Sequence, residues 1–299
     1  MIDYPAARAV ALVVQTGSFE KAARALNITP SAVSQRVRQI EERLGAVLID
    51  RSTPCTATEK GAWLCRHMEH VGLLERDLIA ELPGLAEPGP GGPASLSLAA
   101  NADSLATWFL PAAAAFARTG DWLLNIAIDD EAHTADWLRQ GRVMAAVTAL
   151  SRPVQGCRVR PLGRLRYHAT ASPGFMARHF PDGVTVAAMA RAPALTFDRK
   201  DRLQQDWIAA TFGADLAPPT HWLASTQGFV AASLAGMGWG MNPAELVAGH
   251  LADGRLVELR PGAVLDRPLF WQVNRLADGR LADLTRRVLA AARAGLVQG

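Results

Sequence analysis

Residues 29–45 read TPSAVSQRVRQIEERLG, and this stretch predicts a single helix with two different faces. Thr29 offers a hydroxyl that can cap the first turn, Pro30 suits the first helical position, and Gly45 favours a helix end. Apolar residues recur at helical spacing along one side, which we expect to be buried. They are Val33, Val37, Ile40 and Leu44.

The other side of this helix carries short polar side chains and one long cation. They are Ser31, Ser34, Gln35 and Arg38. Such groups suit the base edges and phosphates of a DNA major groove. A shorter helix is predicted at 19–26, where the pair Ala22-Ala23 permits close helix approach, and the turn at 27–29 completes a helix-turn-helix. A merely solvated polar face is the alternative, but the combination of features favours DNA binding.

Charge supports this interpretation only locally. The whole chain has 31 Lys and Arg against 28 Asp and Glu, and a net charge of +3 does not by itself indicate nucleic-acid binding. Residues 1–66 contain nine basic and six acidic side chains, whereas residues 67–87 contain one Arg and five acids. The positive charge therefore lies with the module that contains the predicted reading helix and not with the helix behind it.

A second long helix is predicted at 58–82. Its apolar residues are spaced 4, 3, 3 and 4 apart, which favours packing against a partner helix. This seam consists of Leu64, Met68, Val71, Leu74 and Leu78. Packing on its own domain is the alternative. Since dimers read two half-sites, we expect a homodimer.

The stretch PGLAEPGPGGP at 83–93 predicts a hinge, because neither a helix nor a central strand tolerates so much Pro and Gly. From residue 94 onward strand and helix signals alternate, which is typical of an α/β fold. Several predicted strands end in polar turns, around Ser104, Thr148, Asp198 and Thr226. Ligands bind beyond the carboxyl ends of such strands, so these turns predict one binding cleft, although each could be an ordinary helix cap.

Other function classes find little support. The chain has no G-x-S-x-G elbow, no P-loop and no H-E-x-x-H, so we expect neither an enzyme nor a metal or other cofactor. Three scattered cysteines argue against a disulfide framework and a structural zinc site. We find no signal peptide and no convincing membrane span, so we expect a cytoplasmic protein without a membrane partner.

The segments FEKAARALNITPSAVSQRVRQIEERLG and VLIDRSTPCTATEKG resemble the LysR-type transcriptional regulators. The resemblance implies an all-α winged helix-turn-helix at 1–60, a linker and dimerisation helix at 58–82, the hinge at 83–93 and an effector domain at 94–299. The effector domain would be a two-lobed α/β fold like that of periplasmic binding proteins, with lobes at 94–160 plus 270–299 and at 161–269.

The same resemblance implies contacts with double-stranded promoter DNA. The reading helix and the wing would provide Pro30, Ser31, Ser34, Gln35, Arg38 and Arg51. It further implies homotetramers built from dimers, and RNA polymerase as another partner.

Four C-terminal segments, NADSLATWFLPA, IDDEAHTADWLRQG, APALTFDRKD and GWGMNP, resemble the ArgP/LysG branch. That branch implies lysine or arginine as effector and control of amino-acid export or metabolism. We expect Ser104, Thr148 and Thr226 around the α-carboxylate and α-ammonium groups. We expect Asp198, with Asp130 or Glu131, at the side-chain cation, and Trp108 along the stem.

The residues also leave alternatives open. One is a regulator of this type with a non-basic effector. Others are an amino-acid-binding protein and a constitutive, nucleoid-type DNA binder.

Overall fold

The computed structural model describes residues 2–82, 94–120, 122–128, 134–139 and 141–299. The chain divides into two compact units. The N-terminal unit comprises Met1–Ser97, Asp121–Asn125 and Trp137–Met144, and the C-terminal unit comprises Leu98–Gly120, Ile126–Asp136 and Ala145–Gly299. The predicted hinge at 83–93, and Asp130 and Glu131, lie outside the described residues.

The N-terminal unit is mainly helical. In chain order it contains α1 (Tyr4–Thr16), α2 (Phe19–Ala25), α3 (Pro30–Leu44), β1 (Ile49–Asp50), β2 (Thr56–Ala57) and α4 (Glu59–Glu81). The hydroxyls of Ser18, Thr29 and Thr58 accept backbone N–H bonds in the first turns of α2, α3 and α4. The antiparallel pair of β1 and β2 forms the wing.

The helix α3 begins and ends where the sequence predicts, with Gly45 in the left-handed conformation at φ +60°. Val33, Val37 and Ile40 are buried, which confirms that part of the predicted stripe. Leu44 is 53% exposed, so its predicted burial was wrong. It is the last residue of α3, and the chain turns away directly after it at Gly45.

The core of this unit consists of small and branched side chains from α1, α2 and α3. They include Ala7, Val10, Val13, Ala22, Ala23, Val33, Val37 and Ile40. The two alanines of α2 are 0% and 2% exposed, as expected for helices that approach closely.

The chain from residue 94 onward is of the α/β class. Its strands are β3 (Ala94–Ala100), β4 (Trp122–Ile128), β5 (Ala145–Thr148), β6 (Cys157–Ala171), β7 (Ala194–Thr196), β8 (Thr220–Trp222), β9 (Gly240–Pro243), β10 (Val257–Glu258) and β11 (Val264–Asn274). The main sheet has the order β10-β6-β11-β5-β3-β4, and β9 pairs with β6. In this sheet β3 and β5 run parallel, whereas β11 is antiparallel to β5 and β6. Separately, β7 and β8 form a parallel pair.

Most helices of this part of the chain follow strand ends. They are α5 (Ala102–Ser104), α6 (Leu110–Ala117), α7 (Thr134–Arg139), α8 (Pro173–His179), α9 (Val186–Met189), α10 (Leu203–Phe212), α11 (Thr226–Leu234), α12 (Ala244–Ala252) and α13 (Ala282–Gly295). A π-helical turn, Leu105–Phe109, lies between α5 and α6. It directly precedes Leu110-Pro111, and a widened turn accommodates a proline that has no N–H to donate.

The strands β6 and β11 are long and contain an irregularity. Pairing shifts from Gly163 opposite Leu269 to Pro161 opposite Phe270. Gly163 has φ +129°, which favours glycine, and an added Cβ would lie 2.9 Å from the Val297 carbonyl oxygen. The predicted lobe boundaries, 160/161 and 269/270, fall at this bulge and stay predictions.

Candidate functional sites

The predicted reading helix presents its polar side chains outward. Ser31, Gln35 and Arg38 are exposed, and Ser34 is half-buried. The Ser31 hydroxyl lies 2.9 Å from that of Thr29, so it also supports the helix cap. These side chains project from successive turns of α3 opposite its buried stripe, an arrangement that can contact neighbouring bases and phosphates.

The wing adds an exposed cation close to the start of α2. Arg51 is exposed, and its guanidinium carbon lies 5.1 Å from the centre of the Phe19 ring at the start of α2. This cation–π contact restrains the side chain without neutralising its charge. Neighbouring Ile49 is 1% exposed and therefore belongs to the core.

The predicted seam of α4 divides into two parts. Leu64 and Met68 pack partly against the N-terminal core, and Val71 is half-buried. Leu74 and Leu78 are 57% and 51% exposed. The first part of the seam thus packs on its own domain, and the second part offers apolar surface.

A half-buried carboxyl lies on the same helix. Glu69 accepts a hydrogen bond from the Ser97 hydroxyl at 3.1 Å. Burial raises the pKa of Glu69 to about 7, against smaller opposing effects of Ser97 and the Arg66 charge. Burial likewise raises the pKa of the Cys65 thiol to about 11, so this thiol is poorly suited to redox chemistry.

The C-terminal unit contains a small cavity, which we call the acidic cavity. It is lined by Asn101, Ala102, Asp103, Phe197, Asp201, Leu203, Gln204, Thr226, Phe229, Met241 and Pro243. Two carboxylates contribute to its wall, and none of the described lining residues is Lys, Arg or His. Aromatic and aliphatic side chains form much of the rest. Such a cavity can hold a small cationic ligand with an apolar stem.

One carboxylate of the acidic cavity is held by two hydroxyls. Asp103, just after β3, accepts a hydrogen bond from the Tyr167 hydroxyl at 2.7 Å and from the Thr226 hydroxyl at 2.6 Å. Tyr167 belongs to β6, and Thr226 begins α11. These bonds fix the carboxylate in place by linking three elements of the C-terminal unit.

The other carboxylate is held by backbone groups. Asp201 accepts from the Phe197 N–H at 3.0 Å and from the Leu203 N–H at 2.9 Å. The side chain is 7% exposed. It thereby connects the loop after β7 to the first turn of α10.

Thr226 is the predicted effector residue that lines the acidic cavity. Ser104 and Trp108 are buried outside its lining, where the indole N–H of Trp108 donates to the Ser104 hydroxyl at 3.1 Å. The Thr148 hydroxyl accepts from the Leu150 N–H and the Gln272 amide. The roles of these residues stay predictions.

Asp198 also lies outside the lining. Its carboxylate closes a turn by accepting the backbone N–H groups of Lys200 and Asp201. Asp103 and Asp201 lie within the polar strand-end turns that were predicted around Ser104 and Asp198, but neither was selected from the sequence. Gln204 was missed as well, because its lining role depends on packing.

In the part of the chain that the structure describes, no helix is long and apolar enough to cross a membrane. The same residues contain no group of three or more His, Cys, Asp or Glu that could hold a metal ion.

Comparison with known proteins identifies both units. Residues 6–62 match the family model described as bacterial regulatory helix-turn-helix protein, lysR family, and residues 91–296 match the LysR substrate binding domain. The transcriptional regulator LysG of Mycobacterium tuberculosis is 45% identical, covering 100% of this chain and 96% of its own length.

Two solved structures are similar over nearly the whole chain. The crystal structure of ArgP from Mycobacterium tuberculosis is 43% identical, covers 100% of both chains and gives a TM-score of 0.77. Full-length LysG from Corynebacterium glutamicum, solved with bound effector Arg, is 36% identical, covers 99% of this chain and 100% of its own, and gives a TM-score of 0.66.

The predicted fold class is confirmed: a winged helix-turn-helix with a linker helix, followed by a two-lobed α/β effector domain. The chain belongs to the LysR family of transcriptional regulators, in the branch that contains ArgP and LysG.

Proposed function

We propose that this regulator responds to a basic amino acid, arginine or lysine, bound in the acidic cavity. The observation that carries the proposal is the position of two carboxylates, the half-buried Asp103 and the buried Asp201, in the wall of one cavity. Because carboxylates form strong charge-assisted hydrogen bonds with cationic groups, a cationic ligand is the favoured occupant.

The remaining lining supports a ligand of this shape. Phe197, Phe229 and Met241 offer apolar contacts for an aliphatic stem. The N–H groups in the first turn of α11, beside Thr226, offer donors for an α-carboxylate. The arginine bound to the related LysG of Corynebacterium glutamicum supports the same ligand class.

On the DNA side we propose that α3 reads bases in the major groove and that the wing contacts the backbone. Pro30, Ser31, Ser34, Gln35 and Arg38 would belong to the reading helix, and Arg51 to the wing. The exposed Leu74 and Leu78 support a homodimer through α4, and dimers would pair into tetramers. The regulated genes would serve amino-acid export or metabolism, with RNA polymerase as a further partner.

The domain division 1–60, 58–82, 83–93 and 94–299 is part of this proposal. We also propose that the cavity binds its ligand without converting it chemically. A regulator of promoter DNA would work in the cytoplasm.

Thermal unfolding of the full chain tests the proposal. Arginine or lysine at 100 times its dissociation constant should add about 2.7 kcal/mol to the stability of the binding-competent fold. Norleucine and glutamate at equal concentration should have little effect. Stabilisation by a neutral or aromatic acid, and none by arginine or lysine, would replace the basic effector with another one and leave the DNA-binding assignment intact.

A further inference from the structure

Gln204 lines the acidic cavity. It lies in the first turn of α10 and is 1% exposed. Its Nε2 donates to the Leu195 carbonyl oxygen at 2.6 Å. Because a carbonyl can accept only from the NH₂ end of an amide, this bond fixes which way the Gln204 side chain is turned.

The other end of the amide is unused. Gln204 Oε1 is buried and accepts no hydrogen bond from any described residue. Folded proteins pair nearly all buried polar atoms, and each exception calls for a donor from elsewhere. Gln204 lines the cavity, so a bound ligand can supply that donor.

Asp201 lies three residues before Gln204 and lines the same cavity. Its oxygens accept hydrogen bonds from the Phe197 and Leu203 N–H groups. These bonds orient the carboxylate, and because backbone N–H groups are neutral they do not cancel its negative charge. The start of α10 therefore offers a charged acceptor and a neutral acceptor side by side.

A guanidinium group has five N–H donors, more than the roughly four acceptor sites of one carboxylate. In a buried site its remaining donors also need partners, and a neutral carbonyl accepts one without adding charge. An apolar side chain of similar length would leave the carbonyl unpaired, and sites with buried polar groups strongly reject such analogues.

We propose that Gln204 Oε1, together with Asp201, accepts the N–H donors at the far end of the effector side chain and thereby determines specificity for a nitrogen-bearing side chain. This inference rests on the proposed function, since it assigns one end of the basic amino acid to the start of α10.

Titration calorimetry of the full chain with arginine tests the assignment in three variants. Gln204→Met removes the acceptor and should weaken arginine binding about tenfold to a hundredfold. Gln204→Glu should stay within about threefold of wild type or bind more tightly. If its carboxyl is protonated, it can donate to Leu195 and still present a carbonyl, and if ionised it adds negative charge to the cavity.

Gln205→Met is the matched control. Gln205 is the next residue of α10, and its Oε1 is also buried without a described partner, but it does not line the cavity. Its substitution should leave arginine affinity unchanged. Melting curves without ligand check folding, and Gln204→Ala replaces Gln204→Met if the latter does not fold.

Equal losses in Gln204→Met and Gln204→Glu would overturn the inference, because the losses would then follow from the altered hydrogen bond to Leu195 and not from the missing acceptor. Unchanged arginine affinity in Gln204→Met would overturn it too, because water and not the ligand would then supply the donor to Oε1. If the wild-type chain binds neither arginine nor lysine, the proposed function fails and this inference fails with it. If the wild-type chain binds arginine and Gln204→Met binds it with the same affinity, only this inference is rejected and the proposed function stands.

Discussion

The reading surface of α3 and the acidic cavity place their polar groups in opposite settings. Ser31, Gln35 and Arg38 project from one helix into solvent, and the core beneath them is complete without them. Asp103 and Asp201 are brought together from separate elements, and hydrogen bonds already hold both. Substitution on α3 should therefore change recognition alone, whereas substitution in the cavity should change both recognition and local packing.

The largest effect is expected in the cavity. Asp201→Asn removes a buried negative charge and should weaken arginine binding by about 2–5 kcal/mol. Asp198→Asn is the matched control, because Asp198 lies three residues earlier in a turn outside the lining, and its effect should stay within about threefold. Titration calorimetry of both variants measures the difference. A larger loss in Asp198→Asn would instead support the assignment made from the sequence.

The Glu69 carboxyl of the N-terminal unit allows a further prediction, which concerns the stability of the folded protein. The Glu69 pKa is about 7 in the folded protein and near 4.5 without burial, so the folded state binds more protons between these values. Stability should therefore fall as pH rises from about 4.5 to 7, by up to about 3 kcal/mol. Glu69→Gln should lose this dependence.

Melting temperatures at pH 5.5 and pH 8 measure the effect. Glu75→Gln, on an exposed position of the same helix, should retain the wild-type difference between the two pH values. The same difference in Glu69→Gln as in wild type would show that Glu69 does not carry the pH dependence.

Substitutions on the reading surface of α3 should change DNA recognition without loss of stability. Gln35→Ala should relax preference at one base pair, by about 1–3 kcal/mol of discrimination, while the melting temperature changes little. Selection of bound sequences from a random duplex pool, compared with wild type, measures the preference. An unchanged preference would remove Gln35 from base reading and weaken the assignment of α3.

The smallest effect is expected at the wing. Arg51→Ala should weaken binding to all duplexes alike and reduce the slope of log K against log salt by about 1. Anisotropy titrations at several salt concentrations measure this slope. A loss confined to one sequence would make Arg51 a base-reading residue.

The same contrast explains what could be predicted from the sequence. The reading helix is one contiguous stretch, and its cap at Thr29, its buried stripe up to Ile40 and its end at Gly45 are local signals. The predicted burial of Leu44 was wrong, because burial at a helix end depends on where the chain goes next.

Non-local features were harder to predict. The strand β6 was not predicted from the sequence. Pro161 and Gly163 are typical of a turn, but in the structure they belong to a bulge within a strand. The acidic cavity joins residues from 101 to 243, and no spacing rule specifies which strand-end carboxylate faces it. Asp198 and Asp201 look alike in sequence, and their different roles emerge only from the turn that Asp198 closes.

The central claim is that the acidic cavity and the DNA-binding surface are coupled through a basic effector. The most direct test is the arginine dissociation constant of the full chain, measured with and without a saturating duplex selected from a random pool. Thermodynamic linkage predicts a change of about 5-fold to 150-fold, corresponding to a coupling of about 1–3 kcal/mol. Arginine binding of equal affinity in both states, or no arginine or lysine binding in either, would contradict the account.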